Sequence, residues 1–302
     1  MRLKDIGESG LIDRISKRIK VDKTVIKGIG DDAAVIRWKK DKYLLFAQDM
    51  VIEGVHFKRT DSPFGIGHKA LSANISDIAA MGGLPRYASL SLGVPKNLSL
   101  RYVDDIYRGI KAIAKRFGVN IIGGDTSLSE KIIIDIAVIG EVKRNELVLR
   151  SGARPGDFVI ITGALGGSIK GRHLSFIPRV DESLFLVRNF RINSMIDISD
   201  SLSSDLNQIC RHSRVGARIY ESLIPLSRES NSVKDALCDG EDFELLFTVQ
   251  RKDFKDLLRK FRNRFNIPLT VIGEVRERRY GIEIVSRSGK ASLLKPAGFA
   301  HF

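Results

Sequence analysis

Six segments of the 302-residue sequence set carboxylates among apolar or glycine neighbours. They are Gly28-Ile-Gly-Asp31-Asp32-Ala-Ala, Ala47-Gln-Asp49-Met, Asn74-Ile-Ser-Asp77-Ile-Ala-Ala, Ile122-Gly-Gly-Asp125-Thr126, Asp197-Ile-Ser-Asp200 and Asp239-Gly-Glu241-Asp242-Phe-Glu244. A carboxylate taken out of water without a counter-charge is costly, so such placement calls for a cation. Short Asp side chains beside glycine turns converge well on Mg2+, which takes octahedral oxygen ligands at about 2.0–2.1 Å and shares them with water and substrate phosphates. Taken singly, each segment also fits an Asx turn or a helix cap. Taken together, they favour a shared cation site for phosphate chemistry.

Such a site needs strands and helices to hold it. Short runs rich in β-branched and aromatic residues predict strands at 43–48, 86–94, 119–122, 132–142, 158–162, 243–249, 269–275 and 281–286. Apolar residues at helical spacing predict helices over 66–81, 101–117, 201–212 and 253–265. Asp49 and Asp125 each follow an apolar run and are expected at the carboxyl end of a strand, where ligands collect in α/β sheets. Asp77 falls off the Leu71, Ile75, Ile78 stripe and shares its flank with Ala70 and Asn74, which points to a polar site. A Gly/Pro cluster from Arg150 to Asp157 leads into a new strand. The expected fold is α/β (α+β-like), with two mixed α/β domains at 1–143 and 144–302.

The composition excludes several classes. A hydrophobic fraction of 43% over this length suits a chain that buries a large core, without disulfide staples. No apolar run approaches the ~18–20 residues that span a bilayer, and the N-terminus lacks the apolar stretch of a signal peptide. A cytoplasmic location without membrane contact is expected. Cys210 and Cys238 match no metal or redox spacing and read as packed thiols. The 50 Lys+Arg against 36 Asp+Glu give a net charge of +14, a balance that suits polyanions. The excess is spread over both halves, however, and no nucleic-acid motif accompanies it, so no nucleic-acid partner is expected. Gly28-Ile-Gly30-Asp-Asp-Ala33 fits a loose dinucleotide fingerprint, but a strand-like run follows it where a helix is needed. Gly163 to Lys170 lacks the spacing of a Walker loop. Nucleotide phosphate would therefore be held by carboxylate-bound metal and Gly-Gly backbone amides.

As a set, the motifs resemble the thiamine-monophosphate kinase family, within the superfamily that includes aminoimidazole ribonucleotide synthetase. The matching segments are MRLKDIGESGLIDRI, GIGDDAAV, QDMVIEGVHF, HKALSANISDIAAMGGLP, IIGGDTS, LRSGARPGD, IDISDSLSSDL, GEDFELLF and GFAHF. The resemblance implies ATP-dependent phosphorylation of thiamine monophosphate to thiamine diphosphate by direct transfer, with several Mg2+ ions. It also implies a homodimer whose N-terminal domains contribute strands to a shared barrel. Carried over residue by residue, it makes Asp32, Gln48, Asp49, Asp77, Asp125, Asp197 and Asp200 metal ligands. Tyr107, Gly124, Asp125, Arg150 and Ser199 would meet ATP. His56, Glu241, Asp242 and Phe299 would meet the vitamin phosphate or its thiamine.

The chain departs from that family at four places. Gln48 and Met50 flank Asp49 where the family carries Thr, Ser201 follows Asp200 where it carries Gly, and Gly166-Gly167-Ser168 replaces a Gly-Asp-Ser turn. The stretch from Gly163 to Ile196 is also short for the family. Two other readings stay open at the level of sequence: a different ATP-dependent synthetase of the superfamily, and a non-catalytic binding protein that uses its basic surface.

Overall fold

The β-branched runs pair into two sheets in the computed structural model, which describes residues 2–298 apart from the side chain of Ser9. After an N-terminal helix α1 (Leu3–Ser16), the first unit comprises β1 (Val25–Lys27), β2 (Ala34–Arg37), β3 (Lys42–Ile52), α2 (Pro63–Ala80), β4 (Leu84–Val94), α3 (Leu100–Phe117), β5 (Asn120–Leu128) and β6 (Ile133–Lys143). Its sheet order is β1-β2-β3-β6-β4-β5. All pairs are antiparallel except β4 with β5. A parallel pair needs a crossover, and α3 supplies it. Ser99 caps the start of α3 by accepting from the Tyr102 amide at 3.3 Å, and Gly118 ends it in the left-handed conformation.

The second unit comprises β7 (Asp157–Thr162), α4 (Val180–Asn189), β8 (Ile192–Asp197), α5 (Leu202–Ser213), β9 (Gly216–Tyr220), α6 (Val233–Cys238), β10 (Leu245–Gln250), α7 (Phe254–Arg262), β11 (Leu269–Arg276), β12 (Ile282–Val285) and β13 (Ala291–Leu293). Its order is β13-β12-β9-β11-β7-β10-β8. Both faces are covered. Val159 and Ile161 of β7 join Leu202, Leu206 and Ile209 of α5 in one core, while Ile160 joins Leu186 of α4 and Phe261 of α7 in another. A strand buried on both faces reads as a continuous apolar run, which is why 158–162 carries no polar alternation.

The eight expected strands and four expected helices all form, with shifted ends. β3 and β5 run several residues past the apolar stretches that announce them. Asp49 and Asp125 therefore lie within strands, and the expectation of strand-end positions is corrected. For β3 the cause is its partner: the ladder with β6 continues in register from Lys42↔Lys143 to Ile52↔Ile133, so backbone pairing carries polar residues along. For β5 it is the parallel register with β4, which extends to Val94↔Leu128. The strands β1, β8, β9 and β13 and the helices α1, α4 and α6 are absent from the sequence reading. Asn193 and Ser194 interrupt the apolar pattern of β8, which is an edge strand paired only with β10. Cys210 is buried and Cys238 half-buried, both free thiols. No described helix is long and apolar enough to cross a membrane.

Helix α2 lies between the two units, touching β3 and β6 on one side and α4 and β8 on the other. Nearly all of its residues are buried, including Lys69, Ser72, Asn74 and Ser76. The Ser183 hydroxyl of α4 donates to the Ala79 carbonyl of α2 at 2.5 Å. Small residues let the neighbours approach, most closely where α2 crosses α3. A Cβ on Gly67 would stand 1.9 Å from the Ile106 carbonyl oxygen, and one on Gly109 would stand 2.0 Å from that of Phe64. Gly67→Ala or Gly109→Ala must force the helices apart, at a cost of about 3 kcal/mol or more. The expected outcome is a thermal midpoint lower by roughly 6 °C or more. An unchanged midpoint for both variants would show that the crossing is looser than described.

Candidate active site

Three carboxylates converge from three separate elements. Asp32 comes from the loop between β1 and β2, Asp77 from α2 and Asp197 from the last position of β8. One oxygen of each lies within 4.8 Å of the others. Asp197 is 1% exposed and its Oδ2 accepts from the Ser76 hydroxyl at 2.5 Å, a bond that ties α2 to the second sheet. Its Oδ1 and the Oδ2 of Asp32 are buried without a hydrogen-bond partner. Asp49 adjoins the group: it shares a hydrogen bond with Asp77, and its amide donates to Asn74 Oδ1 at 3.1 Å.

Burial raises the pKa of all four carboxylates. Asp32 is pushed up to about 6 by desolvation, which the adjacent Arg150 guanidinium partly offsets. Asp197 is pushed up to about 8 by desolvation and then by the charge of Asp32. Asp77 rises well above the ordinary range, through burial and then the charges of Asp49, Asp197 and Asp32. Asp49 also rises, mainly through burial. Acceptor-only groups with orphaned oxygens, crowded until their protons are retained, suit a hard divalent cation that takes the protons' place. The donor set therefore fits Mg2+.

The other expected site residues divide. Arg150 is committed to Asp32, with Nη2 to Oδ1 at 2.7 Å, and its amide donates to Asp31 Oδ1 at 3.1 Å. Gln48 does not bring its side chain to the cluster. Strand alternation turns it to the face opposite Asp49, where Nε2 donates to Asp135 at 2.8 Å, so the expectation of a side-chain ligand is corrected. Asp125 is exposed on the edge strand β5 and stands outside the three-carboxylate group. Gly124 before it is needed for strand pairing, since a Cβ there would stand 1.8 Å from the Leu90 carbonyl. Tyr107 is half-buried on α3 against the first core. Asp200 is exposed in the loop before α5.

His56 sits in a turn after β3, where its Nδ1 accepts from the Ile52 amide at 3.0 Å. That bond places the proton of a neutral ring on Nε2. In the second unit, the loop before β10 holds Glu241 and Phe243 at φ of 54° and 51°, left-handed values that side-chain-bearing residues rarely adopt. The loop is pinned by Glu241 N to Ser199 O at 2.7 Å, by the Ser168 hydroxyl to Glu241 O at 2.6 Å, and by Phe243 stacked on Phe176 at 3.9 Å. Strain of this kind persists where surrounding structure enforces it, commonly at functional sites. Asp242, expected at the substrate, instead turns inward. Its oxygens accept from the Gly166 amide and from Arg172, and burial pushes it up to about 6. It anchors the Gly166-Gly167 turn, so its carboxylate is committed to partners within the second unit.

Two departures from the family pattern acquire a physical reason. Ser201 caps α5 by accepting from the Ser204 amide at 3.1 Å and donates to the Ala297 carbonyl at 2.5 Å. Ser203 grips the same peptide, donating to Ala297 O at 2.7 Å and accepting from its amide at 3.0 Å. The C-terminal segment is thereby held beside Asp200. Phe299, next along that segment, lies outside the described residues. Gly167, in place of the family Asp, has φ 70°, and a Cβ there would stand 2.4 Å from the Glu229 carbonyl.

Asp205, Lys69 and Ser76 were not singled out in the sequence. Asp205 is buried on α5, raised well above the ordinary range by burial and by Asp200 and Asp197, and accepts from the Ser201 amide at 3.1 Å. Its signal was the Ser-Leu-Ser-Ser-Asp helix start.

A buried carboxylate cluster at the junction of two α/β units suits an enzyme that handles phosphate groups. Residues 30–142 match the N-terminal domain of AIR synthase related proteins and residues 170–286 match the C-terminal domain, and the chain belongs to that family. Within it, the chain falls among the thiamine-monophosphate kinases. The enzyme of that name from Aquifex aeolicus is 36% identical over 100% of both chains. The one from Bacillus subtilis is 35% identical over 98% of this chain and 100% of its own. The solved structure of AaThiL complexed with AMPPCP and TMP is 35% identical, covers 100% of this chain and 99% of its own, and superposes with a TM-score of 0.86.

The raised carboxylates set a pH dependence. The folded state holds their protons more tightly than the unfolded chain does. Their contribution to the stability of the metal-free protein is therefore fully present below the ordinary carboxylate range and is lost as pH rises through about 6 and about 8. Thermal unfolding in a chelator should give a midpoint that drops between pH 5 and pH 8.5, and added Mg2+ should raise the midpoint more at pH 8 than at pH 5. A Mg2+ shift independent of pH would contradict the assignment.

Proposed function

We propose that this chain transfers the γ-phosphoryl group of ATP to the phosphate of thiamine monophosphate, yielding thiamine diphosphate and ADP. The observation that carries the reading is the three-carboxylate group with its orphaned oxygens, in a chain related over its full length to thiamine-monophosphate kinases. In the transfer, the bond from the γ-phosphorus to the bridging oxygen breaks, one forms to a phosphate oxygen of the acceptor, and ADP leaves. The acceptor is already an oxyanion, so no general base is required and none is assigned. Catalysis of this kind is mostly positioning and charge stabilisation.

Asp32, Asp77 and Asp197 would hold Mg2+, with Asp49 and Asp200 alongside and Asp125 meeting the nucleotide from β5. Bound there, such ions would neutralise the crowded phosphate oxygens. Arg150 keeps Asp32 in place and presents positive charge beside it. Gly124, Tyr107 and Ser199 line the nucleotide side. His56, with its Nε2 proton, suits an acceptor phosphate oxygen, Glu241 faces the cationic thiamine, and Phe299 follows from the family resemblance. In this reading residues 1–143 form the N-terminal ATP- and Mg-binding and dimerisation domain, 144–302 form the C-terminal α/β domain that adds Asp197 to the cation site, and the vitamin phosphate is held between them.

The same reading includes a homodimer built on the first sheet. All nine residues of β5 are exposed, with Ile122 at 62% and Leu128 at 74%, and the outer face nearby carries Phe46, Met50 and Tyr87. An open apolar edge of this kind invites pairing with another chain. Sedimentation should give the mass of two chains, and Ile122→Glu should shift it toward one; a wild-type monomer would remove the dimer from the proposal.

Incubation with MgATP and thiamine monophosphate should produce thiamine diphosphate and ADP in equal amounts. Asp77→Asn keeps the side-chain shape while removing a charge, and turnover should fall by about 10²-fold or more. The metal-free variant should also melt higher than the wild type at neutral pH, because the cost of keeping a buried carboxyl protonated above its ordinary range is removed. Full activity in that variant would show that Asp77 holds no ion.

A further inference from the structure

Lys69 occupies the middle of α2 with its side chain 2% exposed. An ammonium group so placed is costly unless paired. Its Nζ donates to the His56 carbonyl at 2.8 Å and forms an ion pair with the Glu241 carboxylate. Burial pushes the amine toward neutrality, and Glu241 opposes that shift.

These two partners belong to different units. His56 lies in the turn after β3, closed by its own amide donating to Ile52 O at 2.9 Å and by Ile52 N donating to its Nδ1. Glu241 lies in the left-handed loop of the second unit, its backbone already fixed by Ser199 and Ser168. Ser168 is itself held, since its carbonyl accepts from His173 Nδ1 at 2.9 Å. Each loop is rigid internally, but the distance between them is set by what joins them. Lys69 joins them, and it projects from a helix packed against both units.

We propose that Lys69 is a positioning residue for the acceptor substrate, fixing the spacing between the His56 turn and the Glu241 loop so that phosphate and thiamine are received at once. The inference rests on the thiamine-monophosphate kinase reading, under which those loops receive the acceptor. Lys69 acts through them and lies apart from the carboxylate group. Its loss therefore weakens the acceptor side and leaves the nucleotide side intact. A lysine that merely stabilises the fold would affect both substrates together.

Steady-state kinetics on the full chain separates these cases. Lys69→Met keeps the length of the side chain and removes both contacts. The KM for thiamine monophosphate should rise by at least about tenfold, because small misplacements of a substrate-holding group are amplified in the reaction. The KM for ATP should stay within about twofold of wild type. Lys69→Gln is uncharged, so its burial costs less than that of an unpaired ammonium, and it covers the case in which the Met variant fails to fold; it should show the same split. In the double variant Lys69→Met with Glu241→Gln, the loss should be smaller than the product of the two single losses, since one contact is removed twice. An unchanged KM for thiamine monophosphate in the Lys69 variants, both KM values rising in step, or multiplicative losses would each overturn the proposal. A wild-type protein without thiamine monophosphate turnover would instead overturn the functional reading, and this inference with it.

Discussion

Helix α2 is buried on every side, and that constraint organises the molecule. A helix satisfies its own backbone, so it can pass between two sheets where a strand or loop could not. Its side chains have no such freedom. Each polar group on it must meet a partner from one unit or the other, and the partners found are those of the site: Asn74 meets the Asp49 amide, Ser76 meets Asp197, Asp77 meets Asp49, and Lys69 meets His56 and Glu241. The alignment of the two units and the assembly of the site are therefore one set of contacts. Loosening the helix disturbs both.

The electrostatics follow from the same burial. A chain with a surplus of positive charge draws its acidic residues inward at one point, where Arg150 is committed to Asp32 and leaves the remaining carboxylates uncompensated. In the metal-free state protons make up the difference. The basic surface, spread over both units, contributes at most a general attraction for polyanionic substrates.

Much of this was legible in the sequence. Strands such as 132–142 and helices such as 101–117 carry strong periodicity, and the carboxylates set among glycine and apolar neighbours include Asp32, Asp77 and Asp197, which the fold brings together. What stayed hidden depended on contacts between distant segments. Lys69 looks like one charge on a helix until α2 is seen buried on both sides. Asp242 belongs to the same acidic run as Glu241, and only the fold shows that the two meet different partners, one Gly166 and Arg172 within the second unit and the other Lys69 of α2. Gln48 and Asp49 are adjacent, and strand alternation separates them. The lengths of β3 and β5 were hidden because pairing with β6 and β4 extends strands through residues of weak β propensity. Ser201, a mere deviation in sequence, is a cap and a clamp in three dimensions.

The crossing of α2 and α3 bears on how such a chain can vary over evolutionary time. Contacts between side chains can drift in pairs, one growing as the other shrinks. At Gly67 and Gly109 each missing Cβ would meet a main-chain carbonyl, which no substitution can trim. A larger residue at either position has no compensating change available across the contact. The two positions are thus closed to covariation, and any descendant of this fold that replaces one of them must first move a helix.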